Sequence, residues 1–154
     1  ALTNTADTTT KHPPRMKAIA PFDVTEWDAV SSDEPDAGPA LTRVRIRKAF
    51  QGGDIEGEGA GEGLFCGLSN PEAGPGYVVS ERIVGRLGGH TGSFVIQHGG
   101  LMGPGLPPRT FGHVVPGSGT GDLVGLAGEV EIQQAEDGTH TMTLRYHLDA
   151  EPAK

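Results

Sequence analysis

The sequence predicts an all-β protein, an eight-stranded antiparallel closed barrel. Three observations carry this. Apolar and polar residues alternate with period two along most of the chain, and no segment sustains helical spacing. Gly 25 and Pro 12 punctuate that alternation at short intervals, which favours turns over long helices. Glycines stand opposite bulky residues in "EGEGAGEG", which permits strong curvature, leaves interior space and favours a closed barrel over a sandwich.

Taken in order, residues 1–15, "ALTNTADTTTKHPPR", are polar and lack a signal-peptide pattern, so a flexible tail is predicted before a single domain over 16–154. The first strand, 17–27, begins where "MKAIAPFDVTEW" starts to alternate. An acidic, proline-bearing loop, "SSDEPDAGPA", leads to strands 41–50 and 54–68. A turn at Gly52-Gly53 sets Phe50 against Ile55, Ile46 against Gly59 and Val44 against Gly61. The other face then pairs Arg47 with Glu58 and Arg43 with Glu62, so opposite charges meet across the strands. Strands 76–87 and 91–100 flank Gly88-Gly89, which opposes Ile83 to Phe94, Glu81 to Ile96 and Val79 to His98. The loop "MGPGLPPR" precedes strand 110–115, and "GDLVGLAG" has room for one helical turn. Strands 127–134 and 139–149 close the chain around a three-residue loop, Asp137–Thr139, with Ile132 facing Leu144, Val130 facing Tyr146 and Glu131 facing Arg145.

Composition narrows the partners. Twelve Lys+Arg against 20 Asp+Glu give a net charge of −8, which repels phosphate backbones and anionic lipid, so neither nucleic acid nor membrane is expected. No run approaches the roughly 20 apolar residues of a membrane helix. The single cysteine, Cys66, allows no internal disulfide, which fits a reducing cytoplasm and also a disulfide-free secreted protein. A lone strand cysteine reads more readily as packing than as a nucleophile.

The hairpin around Gly88-Gly89 holds the candidate site. Its register turns Glu81 and His98 onto the same apolar face as diagonal neighbours, about 7–8 Å apart at Cβ. A Glu beside a His in an apolar interior suits proton transfer, with burial expected to raise the carboxyl. The bland alternative is a satisfied core pair. Val44, Ile46, Tyr77, Val79, Phe94, Ile96, His113 and Tyr146 are the expected cavity wall, with the tyrosines as hydrogen-bond donors or plain core. Arg43, Arg45 and Arg47 alternate like an anion site but read better as a solvated face paired with glutamates. His98 and His113 could meet at a metal, yet no HxH or HExxH spacing exists, so no metal and no cofactor are expected. "GSGTG" lacks the lysine of a phosphate loop and reads as a sharp connection.

The pieces "GSFVIQHGG", "VVPGSGTGDL" and "GLAGEVEI", in this order, resemble the bacterial family known as domain of unknown function 3224, over about Met16 to Asp149. The resemblance implies an eight-stranded barrel similar to allene oxide cyclases and dirigent proteins, with "GSGTGDLVGLAGEV" looking like their "GGxGxFxxAxG" segment. Relatives in that barrel class guide cyclisation or coupling of reactive small molecules. Glu81 and Gln97-His98 match as motif positions without assigned chemistry.

Three functions follow as expectations. The first is a cofactor-independent isomerase or cyclase that holds a small apolar metabolite in the barrel, with Glu81 and His98 handling protons. The second is a non-catalytic barrel that binds a similar ligand. The third is an interaction module whose interior is simply filled. Homo-oligomerisation stays open in all three.

Overall fold

Alternation becomes strands with one buried face. Along the second strand Thr42, Val44, Ile46, Lys48 and Phe50 point inward while Arg43, Arg45 and Arg47 face out. The structure is a computed structural model and describes residues 15–69, 76–102 and 109–148; residues 1–14 of the expected tail lie outside them. Eight strands, β1 (Met16–Ser32), β2 (Leu41–Phe50), β3 (Ile55–Cys66), β4 (Gly76–Leu87), β5 (His90–Leu101), β6 (Arg109–Val114), β7 (Ala127–Gln134) and β8 (His140–His147), pair antiparallel in chain order. β8 returns to β1 and closes the barrel.

β1 runs on to Ser32, beyond the expected end at residue 27. Register shifts between Val24 and Glu26 and between Ala29 and Ser31 let it follow the curving β2 for that length. The β4–β5 hairpin has the expected register: Ile83 faces Phe94, Glu81 faces Ile96 and Val79 faces His98.

Two other hairpins slip by two residues. In β2–β3, Val44 faces Gly63, Ile46 faces Gly61 and Phe50 faces Gly57, because six residues, Gln51–Glu56, separate the last pair instead of the four that a Gly52-Gly53 turn leaves. That loop is docked on β1: the Ile19 amide donates to Asp54 Oδ2 (2.8 Å) and the Asp54 amide donates to the Ile19 carbonyl (3.0 Å). In β7–β8, Val130 faces Leu144 and Ile132 faces Met142 around a five-residue connection, 135–139. A two-residue slip keeps every side chain on its face, so the inside and outside assignments survive. The charge pairs persist as diagonals, Arg43 to Glu62 (3.0 Å) and Arg145 to Glu131 (3.6 Å), while Arg47 pairs with Glu26 (3.0 Å) instead of Glu58.

The "GSGTGD" segment runs along the part of β5 that β6 leaves unpaired. Its side chains are tied to the edge of β5: Ser118 Oγ accepts from the Val95 amide (3.0 Å) and Thr120 Oγ1 accepts from the Ser93 amide (3.1 Å). Gly121, at φ 60°, turns the chain into a short 3-10 turn over Gly121–Leu123 that carries Leu123 and then Leu126 into the core. The one helical turn expected in "GDLVGLAG" is this plug.

Two apolar clusters fill the interior. The larger includes Phe22, Phe50, Ile83, Phe94, Ile96, Leu144 and Tyr146. The smaller comprises Val44, Ile46, Phe65 and Val79, with Tyr77 packed against it.

Candidate functional site

The register builds three interior rows where these clusters meet. Val44, Gly63, Val79 and His98 form one row; Ile46, Gly61, Glu81 and Ile96 the next; Lys48, Gly59, Ile83 and Phe94 the third. Each row therefore contributes one polar side chain. Lys48, Glu81 and His98 are 6%, 2% and 5% exposed.

The three converge. Lys48 Nζ donates to Glu81 Oε2 at 2.9 Å and sits 4.5 Å from the centre of the Phe22 ring. His98 Nε2 lies 3.4 Å from the same Glu81 oxygen, an ion-pair separation without hydrogen-bond alignment. The Glu81 carboxylate reaches Lys48 by lying across Gly59, where a Cβ would collide with Oε1 and crowd the Phe50 ring. Glycine at 59 is thus the gap that the carboxylate occupies. Gly63 is likewise overlain by Val79 and Phe65. The interior space expected from the glycine series is taken up by neighbouring side chains.

Among the described residues, Glu81 Oε1 and both ring nitrogens of His98 are buried without a hydrogen-bond partner. Burial is the largest influence on the Glu81 carboxyl and pushes it up, but the His98 contact and the Lys48 ammonium together outweigh it. The carboxyl therefore lies below its ordinary value, opposite to the rise expected from burial alone. A fixed ammonium, a carboxylate and an uncommitted imidazole can stabilise a developing negative oxygen and move one proton.

An aromatic series leads from His98 toward the protein surface. Tyr77 meets the His98 ring edge-on at 6.0 Å, Phe65 stacks on Tyr77 at 5.3 Å, and Trp27 meets Phe65 at 4.9 Å. Trp27 is 51% exposed and Tyr77 is half-buried. Burial raises the Tyr77 phenol above its ordinary value and keeps it a neutral donor.

Of the expected wall, Val44, Ile46, Val79, Phe94, Ile96 and Tyr146 are buried inside, and Tyr77 lines the smaller cluster. They are divided: Phe94, Ile96 and Tyr146 belong to the larger cluster and pack away from the aromatic series. His113 is a correction. His98 faces Gly112, so His113 takes the opposite face of the wall and is exposed beside Gln97 and Glu129. His98 and His113 therefore cannot share a metal, and the described residues contain no cluster of three or more His, Cys, Asp or Glu suited to one.

Lys48, Trp27 and Phe65 were missed. Lys48 has the same strand parity as Ile46 and Phe50, a signal legible in "RIRKAF". Arg43, Arg45 and Arg47 form the solvated face, held by Glu62 and Glu26. Cys66 is a free, half-buried thiol at the end of β3. Grooves among the described residues open on the outer wall, one of about 510 Å³ over β3–β6 and one of about 470 Å³ beside β6 and β7.

A family model described as "Protein of unknown function (DUF3224)" matches residues 18–146. A crystal structure of a DUF3224-family protein of unknown function from Shewanella oneidensis MR-1 is 35% identical and superposes with a TM-score of 0.72. The match covers 90% of this chain and 99% of the Shewanella chain. No curated protein shows significant similarity.

Proposed function

The chain belongs to the DUF3224 family of unknown function, and we propose that it binds a small, largely apolar molecule at the Trp27–Phe65–Tyr77 end of the barrel. On this reading His98, steadied by Glu81, handles one proton in a cofactor-independent isomerisation or ring closure. One observation carries it: three buried polar atoms without partners, Glu81 Oε1, His98 Nδ1 and His98 Nε2, gather in a single cluster. Each such atom costs about 1–3 kcal/mol, and folded proteins keep few of them. A ligand hydroxyl or carbonyl would satisfy them, and since side chains fill the interior it would enter as Phe65 and Tyr77 swing aside.

The division of roles follows from the charges. His98 and Lys48 together hold Glu81 as a carboxylate, which makes Glu81 a weak base and an anchor. The mobile proton then falls to His98, and the Lys48 ammonium stabilises negative charge that develops on the ligand. Tyr77 supplies a neutral donor. The resemblance to allene oxide cyclase-type barrels supports the same class, in which a reactive substrate needs shape, dryness and one acid or base.

The test is a panel of reactive apolar metabolites, assayed for binding and turnover with wild type, His98→Ala and Glu81→Gln. Retained binding with turnover lost by at least about 100-fold in His98→Ala supports the reading, since acid–base groups contribute on that scale. Turnover unchanged in both variants removes these residues from the chemistry. Binding without turnover by the wild type favours a non-catalytic carrier, a reading that the lowered Glu81 carboxyl also fits.

A further inference from the structure

The outer face of β3–β6 differs from the rest of the barrel's outside. Leu64, Val78 and Phe111 on one outward row, and Leu101 on the next, are 51–57% exposed. Cross-strand pairing makes the first row continuous: Leu64 faces Val78, Val78 faces Gly99, and Gly99 faces Phe111. Gly99 leaves no gap, because the Phe111 ring lies over the place its Cβ would take. The 510 Å³ groove runs along this row, bordered by Glu62, Ser80, Gln97 and His113. Other outward rows are charged, such as Arg47, Ala60, Arg82 and then Glu56, Arg86, Thr91.

The geometry points to this face as the contact between two copies of the chain, related by a two-fold axis along the strands between β4 and β5. Such an axis lays β4 on the partner's β5 and β3 on the partner's β6. Leu64 then meets Phe111 of the partner subunit, and Val78 meets Gly99 of the partner subunit. On the bordering row Glu62 meets His113 of the partner subunit, and Ser80 meets Gln97 of the partner subunit. Large apolar meets large apolar, acid meets base, and hydroxyl meets amide. The face is complementary to its own reverse.

Charge selects the same face. Two copies of a chain with net charge −8 repel one another. Along this groove the one carboxylate is Glu62, held by Arg43 at 3.0 Å, so the copies approach here without opposing free carboxylates. The area also suffices. Four half-exposed large side chains present roughly 400 Å² of apolar surface at about 100 Å² each. A standard interface buries about 800 Å² per partner, a little over half of it apolar.

Sedimentation velocity of the full chain across the micromolar range tests the proposal. Wild type is expected to be a dimer. Val78→Glu, at an exposed position, is expected to keep the wild-type melting curve and to weaken association by about 100-fold or more, the effect of a central interface residue. A second pair of variants tests the pairing itself: Leu64→Glu and Phe111→Lys should each weaken association, and mixing the two should restore it, because under this two-fold Leu64 meets Phe111 of the partner subunit. Within one chain these positions are three strands apart, about 14 Å, too far for the two new charges to pair directly. A monomeric wild type, a dimer untouched by Val78→Glu, or a mixture that associates no better than either variant alone overturns the proposal. So does a monomer that captures neutral-lipid vesicles through this face.

Discussion

Replacing Lys48 by Met should remove much of the stability that the barrel gains as pH rises through the range of the Glu81 carboxyl. Met keeps most of the side chain's apolar stem while removing the ammonium that pairs with Glu81 and lies 4.5 Å from the centre of the Phe22 ring. Glu81, 2% exposed, then loses the cation 2.9 Å from its Oε2. Removing one member of a buried ion pair costs about 3–5 kcal/mol, because the other charge is left uncompensated. For a domain of this size each kcal/mol moves the melting temperature by about 2–4 °C, so a drop of roughly 6–20 °C is expected near neutral pH.

The sign of the pH effect follows from what remains. In the wild type the Glu81 carboxyl lies below its ordinary 4.5, so its contribution is present above that value and lost as pH falls through the folded value. Without Lys48, burial, the largest influence, is opposed by His98 alone, so the carboxyl moves up from its wild-type position. The stability gained as pH rises through the carboxyl range shrinks accordingly. The gap between wild type and variant should therefore be widest near neutrality and narrow toward about pH 4.5. Urea and thermal denaturation across that range measure it. Adding Glu81→Gln to the lysine variant removes the stranded charge and should recover most of the loss. A cost under about 1 kcal/mol at neutral pH, with an unchanged pH profile, would refute the view that this pair is buried and coupled.

Two further outcomes test the same architecture. Gly59→Ala places a methyl where the Glu81 carboxylate lies, so the carboxylate must shift away from Lys48; a loss of about 1–3 kcal/mol is expected in urea titration, while Ala60→Gly on the outward face serves as control. Removing residues 1–15 deletes the exposed Arg15–Glu129 contact (3.3 Å), worth at most about 1 kcal/mol; a melting temperature lower by more than about 4 °C would show that the tail is docked.

How far the sequence could be read depended on the kind of question. Which residues point inward was legible, because strand parity is set by alternation and tolerates a two-residue slip: Val44, Ile46 and Phe50 are inside although every one faces a different partner than expected. Exact register was legible only where the turn was tight, around Gly88-Gly89. At Gln51–Glu56 the chain is drawn out by the hydrogen bonds of Asp54 to Ile19 on β1, and at 135–139 by a longer turn. His113 went wrong because the register of β6 depends on a connection, 102–108, whose length conceals its parity.

The site was half legible for a deeper reason. Glu81 and His98 come from one hairpin, so pairing two strands brings them together. Lys48, Gly59 and Phe22 come from three other strands and meet the pair only when β1 to β5 are laid side by side. The glycine run that suggested a hollow barrel is part of the same arrangement. Gly59 stands between Lys48 and Ile83, and its missing side chain gives the Glu81 carboxylate a path across β3 to the ammonium. Without Gly59 that path would be blocked. Without Lys48, burial would press Glu81 toward its neutral form. A glycine read alone looks like empty space and a lysine read alone looks like surface, yet each makes sense of the other once a buried carboxylate lies between them.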